Sequence, residues 1–124
     1  MFKRIDHIAF TVKDREKSVR FYEQLGFRQY FEHDVPVPEI EKIVYLELGD
    51  SVLELIHMPH GKCGAVYHFC LASDDFDADV ARLKAAGAPV QTEPHPTAAR
   101  KTGEEGWRRV VFTGPDGEAI EFRG

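Results

Sequence analysis

Four side chains carry the chemistry that this sequence offers: His7, Glu54, His68 and Glu121. His7 heads the run "HIAFTVKD" and His68 heads "HFCLASDD", while Glu54 sits in "LEL" and Glu121 in "IEF". Two imidazoles and two carboxylates make a good ligand set for a divalent metal ion. An octahedral ion bound by all four would keep two positions for water or substrate. Two carboxylates would also neutralise its charge, so the site could be buried without a large solvation cost. A lone strand histidine is usually structural and a lone outward glutamate is usually solvated. Here the His–Glu pair recurs at matched positions, and that recurrence lifts it above this background.

The matching extends to the elements that must position the four residues. Laying His7 on His68 puts Asp14 on Asp75, Val19 on Val80 and Gly26 on Gly87 without a gap. Each half reads as a strand, an N-capped helix and a glycine stop. Ile8, Phe10 and Val12 alternate with His7, Ala9 and Thr11, and Tyr67, Phe69 and Leu71 alternate with His68, Cys70 and Ala72. Val19, Tyr22 and Leu25, flanked by Phe21, form the first helical stripe; Phe76, Val80 and Leu83 form the second. A hairpin follows in each half, turning at Gly49-Asp50 and within "GPDG". The segments between helix and hairpin, "RQYFEHDVPVPEIE" and "PVQTEPHPTAARKTGEEG", carry prolines and read as loops or edge strands. The unit is therefore β-α-β-β, with room for another strand in each connection. Two modules, about 1–60 and 65–124, should share one core and one cleft as a single domain.

Strand parity then sorts the faces. Ile8, Phe10, Val12, Leu53, Leu55, Ile120 and Phe122 point at the helices, so His7, Glu54, His68 and Glu121 point away from them. The Gly49-Asp50 turn sets Tyr45 opposite Glu54 and Glu47 opposite Val52. Tyr45 reads as wall and Glu47 as a weak accessory acid or base. Cys70 shares the face of His68 and reads as inert packing. His57, His60, His33 and His95 read as loop or surface residues. Parity leaves open which of Arg108 and Arg109 faces the cleft, where it could bind an anionic substrate; placement of both at the surface is an equal reading. The segment "TAARKTGEEGW" could be a lid, with Lys101 near an anionic substrate.

Composition narrows the function classes. The chain has 124 residues and a net charge of −5, which argues against a nucleic-acid partner. No apolar run reaches the roughly 20 residues of a membrane span, and the N-terminus lacks a signal-peptide h-region, so a cytoplasmic protein is expected. Cys63 and Cys70 form no C-x-x-C motif and are expected to be reduced thiols.

Around the four residues the chain resembles the vicinal oxygen chelate superfamily of glyoxalase I, bleomycin-resistance proteins, fosfomycin-resistance enzymes, methylmalonyl-CoA epimerase and extradiol dioxygenases. The resemblance rests on "DHIAFTVKDREKSVRFYEQLGF" and "GPDGEAIEF" and covers essentially the whole chain. It implies an α+β fold of two tandem βαβββ modules forming a curved mixed-sheet cleft. The order His, Glu, His, Glu resembles bacterial glyoxalase I. It implies nickel, zinc, cobalt, manganese or iron on His7, Glu54, His68 and Glu121. The implied chemistry is a lyase or isomerase reaction on a small carbonyl or thiohemiacetal, through a metal-stabilised enediolate, with Glu121 as base and Glu54 returning the proton. The alternatives are an epimerase like that of methylmalonyl-CoA, a dioxygenase-like enzyme, or a non-catalytic small-molecule (antibiotic) binder. Thr11 stands where bacterial glyoxalase I has an arginine for glutathione, and "LIHM" replaces its polar contact after the first glutamate, so glutathione recognition is not expected. The family also implies a homodimer.

Overall fold

A computed structural model of the chain describes residues 1–24, 26–62, 66–113 and 119–124. Among them lie eight strands and two helices: β1 (Phe2–Val12), α1 (Arg15–Gln24), β2 (Arg28–His33), β3 (Lys42–Leu48), β4 (Ser51–His57), β5 (Val66–Ser73), α2 (Phe76–Ala85), β6 (Val90–Pro96), β7 (Arg108–Thr113) and β8 (Ala119–Arg123). The order is βαβββ written twice, a mixed α+β fold, so each connecting segment does hold an extra strand. The chain divides into two compact units. The N-terminal unit is His7–Tyr67, and the C-terminal unit is His68–Gly124 together with Met1–Asp6.

In the N-terminal unit the strands run in the order β2-β3-β4-β1. β1 and β4 are parallel, with Ala9 opposite Glu54 and Val12 opposite His57. β3 and β4 form a hairpin in which Leu48 pairs with Ser51, so the loop is Gly49-Asp50 as the sequence predicts. Gly49 has φ +57°, a conformation that costs an L side chain energy and glycine little. Val12, Val44, Leu46 and Leu55 form a buried cluster against which Phe10, Val19 and Tyr22 pack. That cluster is the helical side, reached by the odd-even alternation of the strands. Leu25, the third residue of the predicted α1 stripe, lies outside the described residues, and Phe21 is exposed. The Asp14 carboxylate accepts from the Lys17 N–H at 3.0 Å, which caps α1.

The C-terminal unit repeats the plan as β5-β8-β7-β6. β5 and β8 are parallel, with Cys70 opposite Glu121, and β7 and β8 are antiparallel, with Val111 opposite Glu121. Phe76, Val80, Val110, Phe112 and Phe122 form its core, with Phe2, Leu71, Leu83 and Ile120 packed on it. Tyr67 is an exception to the predicted alternation: it is 52% exposed. The "GPDG" turn lies outside the described residues. Proline shapes β6, whose pairing with β7 shifts register between Thr92 and His95, around Pro94.

The Asp75 carboxylate accepts from the Ala78 N–H at 3.3 Å and starts α2. Asp75→Ala is expected to lower stability by about 1 kcal/mol, read from urea unfolding; an unchanged midpoint would show that the cap contributes nothing. Gly87 ends α2 with φ +82°. Ala88 N–H then reaches back to the Leu83 carbonyl at 3.0 Å, the closure typical of a left-handed glycine stop.

The C-terminal unit also contains a buried ionic network absent from the sequence reading. Arg100 Nη2 lies 2.9 Å from Asp6 Oδ2 and 2.9 Å from Glu104 Oε1. Arg123 lies 3.4 Å from Asp6 and 3.2 Å from Glu104, donates to the Ala98 carbonyl at 3.0 Å and sits over the Trp107 ring. All four side chains are at most 3% exposed. Burial alone would raise the Glu104 carboxyl pKa, but hydrogen bonds from Arg100 and the charges of Arg123 and Arg100 outweigh it and hold the pKa below its ordinary value. The segment expected as a lid is thus tied down at Arg100 and Glu104, while Lys101 is exposed. No helix among the described residues is long and apolar enough to cross a membrane.

Candidate metal centre

Each unit presents one His–Glu pair on its non-helical face. In the N-terminal unit His7 is 1% and Glu54 4% exposed. Their facing atoms, His7 Nε2 and Glu54 Oε2, are 3.1 Å apart. Parallel pairing explains the contact. Glu54 lies opposite Ala9, two residues beyond His7 on the same face, so the long carboxylate reaches back diagonally. In the C-terminal unit Glu121 lies opposite Cys70, again two residues beyond the histidine. His68 Nε2 is 3.5 Å from Glu121 Oε2, and both side chains are buried. The recurrence read from the sequence is therefore a recurrence of register.

Each pair has a further partner, and the two partners differ. Tyr45 lies opposite Glu54, as the hairpin length predicts, and its hydroxyl donates to Glu54 Oε2 at 2.5 Å. Its ring meets His7 edge-on with centroids 5.8 Å apart. Tyr45, read from the sequence as wall, thus contacts Glu54 directly, and the hairpin register carries the signal for that contact. At Glu121 the partner is Arg109, whose Nη1 lies 3.2 Å from Oε2. Arg109 Nε in turn donates to His95 Nε2 at 2.9 Å, and His95 Nδ1 lies 2.9 Å from the Glu93 carbonyl. This settles which arginine shares the face of Glu121. Arg108 turns to the helical side, pairs with Asp77 at 2.7 Å and stacks over Phe76.

Of the remaining candidates, Cys70 lies opposite Glu121, His95 stands behind Arg109 and His33 packs on the Tyr45 ring, while the others stand apart from the pairs. Glu47 lies opposite Val52 and pairs with Arg28. His57 ends β4 and contacts the Lys13 carbonyl at 3.1 Å. His60 lines a cavity in the N-terminal unit with Pro38, Glu39, Glu41, Met58 and Pro59, and neither His7 nor Glu54 lines it. His33 and His95 lie on edge strands rather than in loops. Cys70 is fully buried, and Cys63 lies outside the described residues.

The donors suit a divalent cation. Imidazole nitrogen and carboxylate oxygen are ligands of zinc, nickel, cobalt, iron and manganese alike. Buried carboxylates need a compensating charge, which a cation would supply. Tyr45 on Glu54 is the kind of outer partner that orients a ligating carboxylate, whereas Arg109 meets Glu121 with a charge of its own.

Residues 4–122 match the model of the Glyoxalase/Bleomycin resistance protein/Dioxygenase superfamily. The human mitochondrial methylmalonyl-CoA epimerase is 32% identical over 93 residues, covering 65% of this chain and 52% of the human protein, so the match spans about half of that relative. A probable lactoylglutathione lyase of Vibrio cholerae is 29% identical over 128 residues, with 96% of this chain and 88% of that protein covered. Among solved structures, a methylmalonyl-CoA epimerase in complex with methylmalonyl-CoA and NH4+ superposes with a TM-score of 0.77 at 22% identity, covering 99% of this chain and 94% of that one, a likeness of fold.

Proposed function

Because the chain belongs to the glyoxalase/bleomycin resistance protein/dioxygenase superfamily, we propose that it is a metal-dependent enzyme that moves a proton at a carbon next to a carbonyl group. One buried His–Glu pair in each of two like-built units is the observation that carries this reading. His7, Glu54, His68 and Glu121 are the proposed ligand set. A divalent cation there would stabilise negative charge developing on substrate oxygen as the proton leaves. Glu121 takes the proton, and Glu54, fixed by Tyr45, returns it.

Epimerisation of an acyl-CoA thioester is the first reading, and the human and structural relatives named as methylmalonyl-CoA epimerases support it. Isomerisation of a thiohemiacetal is the second, supported by the relative named as a probable lactoylglutathione lyase and by the four-ligand order. The family resemblance also supports a homodimer.

The test is proton exchange. The cobalt-loaded protein is expected to wash deuterium from D2O into the carbon between the carboxylate and thioester of methylmalonyl-CoA. A parallel assay offers methylglyoxal with a panel of thiols and follows thioester formation. Exchange in the first assay alone selects the epimerase. Thioester formation in the second alone selects the isomerase. Silence in both, with metal bound, removes the enzymatic reading.

A further inference from the structure

The two halves share their His–Glu pair but not its third member. Glu54 meets a neutral hydroxyl, from Tyr45. Glu121 meets a cation, Arg109, at the same Oε2 oxygen that faces His68. Arg109 itself is fixed from behind. Its Nε donates to His95, directly opposite on β6, so the guanidinium has a defined direction.

We propose that Arg109 is a positioning residue that holds the Glu121 carboxylate and competes with a bound divalent cation for it. This rests on the ligand set proposed above. A guanidinium and a metal ion compete for one carboxylate because both are positive and both draw on the same lone pairs. Arg109 offers a charge-assisted hydrogen bond to the carboxylate when it leaves the cation. Tyr45 offers Glu54 a hydrogen bond that adds no positive charge, so it orients that ligand without competing through charge. Arg109 is 37% exposed, so salt screens its competition only partly.

The experiment is a calorimetric titration of the metal-free full-length protein with Co2+ against a competing chelator. Circular dichroism checks the fold of every variant. Arg109→Met is expected to tighten Co2+ binding by roughly tenfold, within the range by which one nearby charge alters such an equilibrium. Arg109→Gln is the second variant should the methionine form fail to fold. Arg109→Lys, which keeps the charge, is expected to stay within about threefold of wild type, whereas Tyr45→Phe should weaken binding, by roughly 10–100-fold. The gain from Arg109→Met should vanish when Glu121→Gln is added. A purely structural arginine would give the opposite sign, because its loss would loosen the site. Stoichiometric uptake by wild type with unchanged or weaker binding in Arg109→Met and Arg109→Gln overturns the role of Arg109 and leaves the ligand set standing. No uptake by wild type overturns both.

Discussion

Glu104→Ala is expected to lower the unfolding free energy by about 3–5 kcal/mol, the usual cost of removing one member of a buried ion pair. Glu104 accepts from Arg100 and Arg123, and its loss leaves two buried guanidinium groups sharing the single carboxylate of Asp6. The penalty is that uncompensated charge; lost packing is secondary. Arg123→Met should cost less than Glu104→Ala, because Arg100 bonds both anions and Arg4 also lies 3.4 Å from Asp6, so two cations still face two anions. Chemical unfolding of the three proteins measures this, and a loss below about 1 kcal/mol for Glu104→Ala would mean that water reaches the network. The same residue predicts a pH dependence. Its pKa is lowered on folding, so its stabilisation is fully present above the ordinary value of 4.5 and is lost as pH falls through the lower folded value. Wild type should therefore lose thermal stability steeply below about pH 4.5, and Glu104→Gln should show a flatter profile there.

His68→Ala and Glu54→Ala are each expected to weaken cation binding by more than the roughly 100-fold that follows loss of an outer partner of a ligand. Proton exchange into substrate should fall with it. Glu121→Gln is expected to behave differently. It should cost about 10²–10⁴-fold in exchange, the typical worth of a positioned general base, even at saturating metal. Elemental analysis and exchange rates measured on the same preparations separate the two effects. A His68→Ala protein that retains one tightly held ion per chain would eliminate His68 from the ligand set, and the proposed symmetry with it. Treatment of wild type with a chelator should abolish exchange, and re-addition of cobalt should restore it.

The site was legible to the extent that it is local in the chain. Strand alternation placed Glu54 and Glu121 away from the helices, and the two-residue turn at Gly49-Asp50 placed Tyr45 opposite Glu54. Duplicated patterning did the rest, because His7 and His68 stand at the same offset from the residues that pair with the glutamates. Arg109 was not legible. The turn before β8 allows either parity, so only the observed register with Glu121 and Arg123 could separate it from Arg108. The ionic network was beyond sequence reading for another reason. Asp6 meets Arg100 and Arg123 across 94 and 117 positions, and no periodicity spans such distances. "TAARKTGEEGW" reads as a lid because anchors and surface residues look alike in composition.

Asp6 and His7 are neighbours in one strand yet belong to different compact units, and this has a consequence for synthesis on the ribosome. His7–Tyr67 can condense once that stretch has left the exit tunnel. The segment before it cannot: Asp6 waits for Arg100 and Arg123, which follow much later in the chain. Until they are made, Asp6 lacks the guanidinium groups that it meets in the folded protein, and slowing elongation over the second half should lengthen that interval.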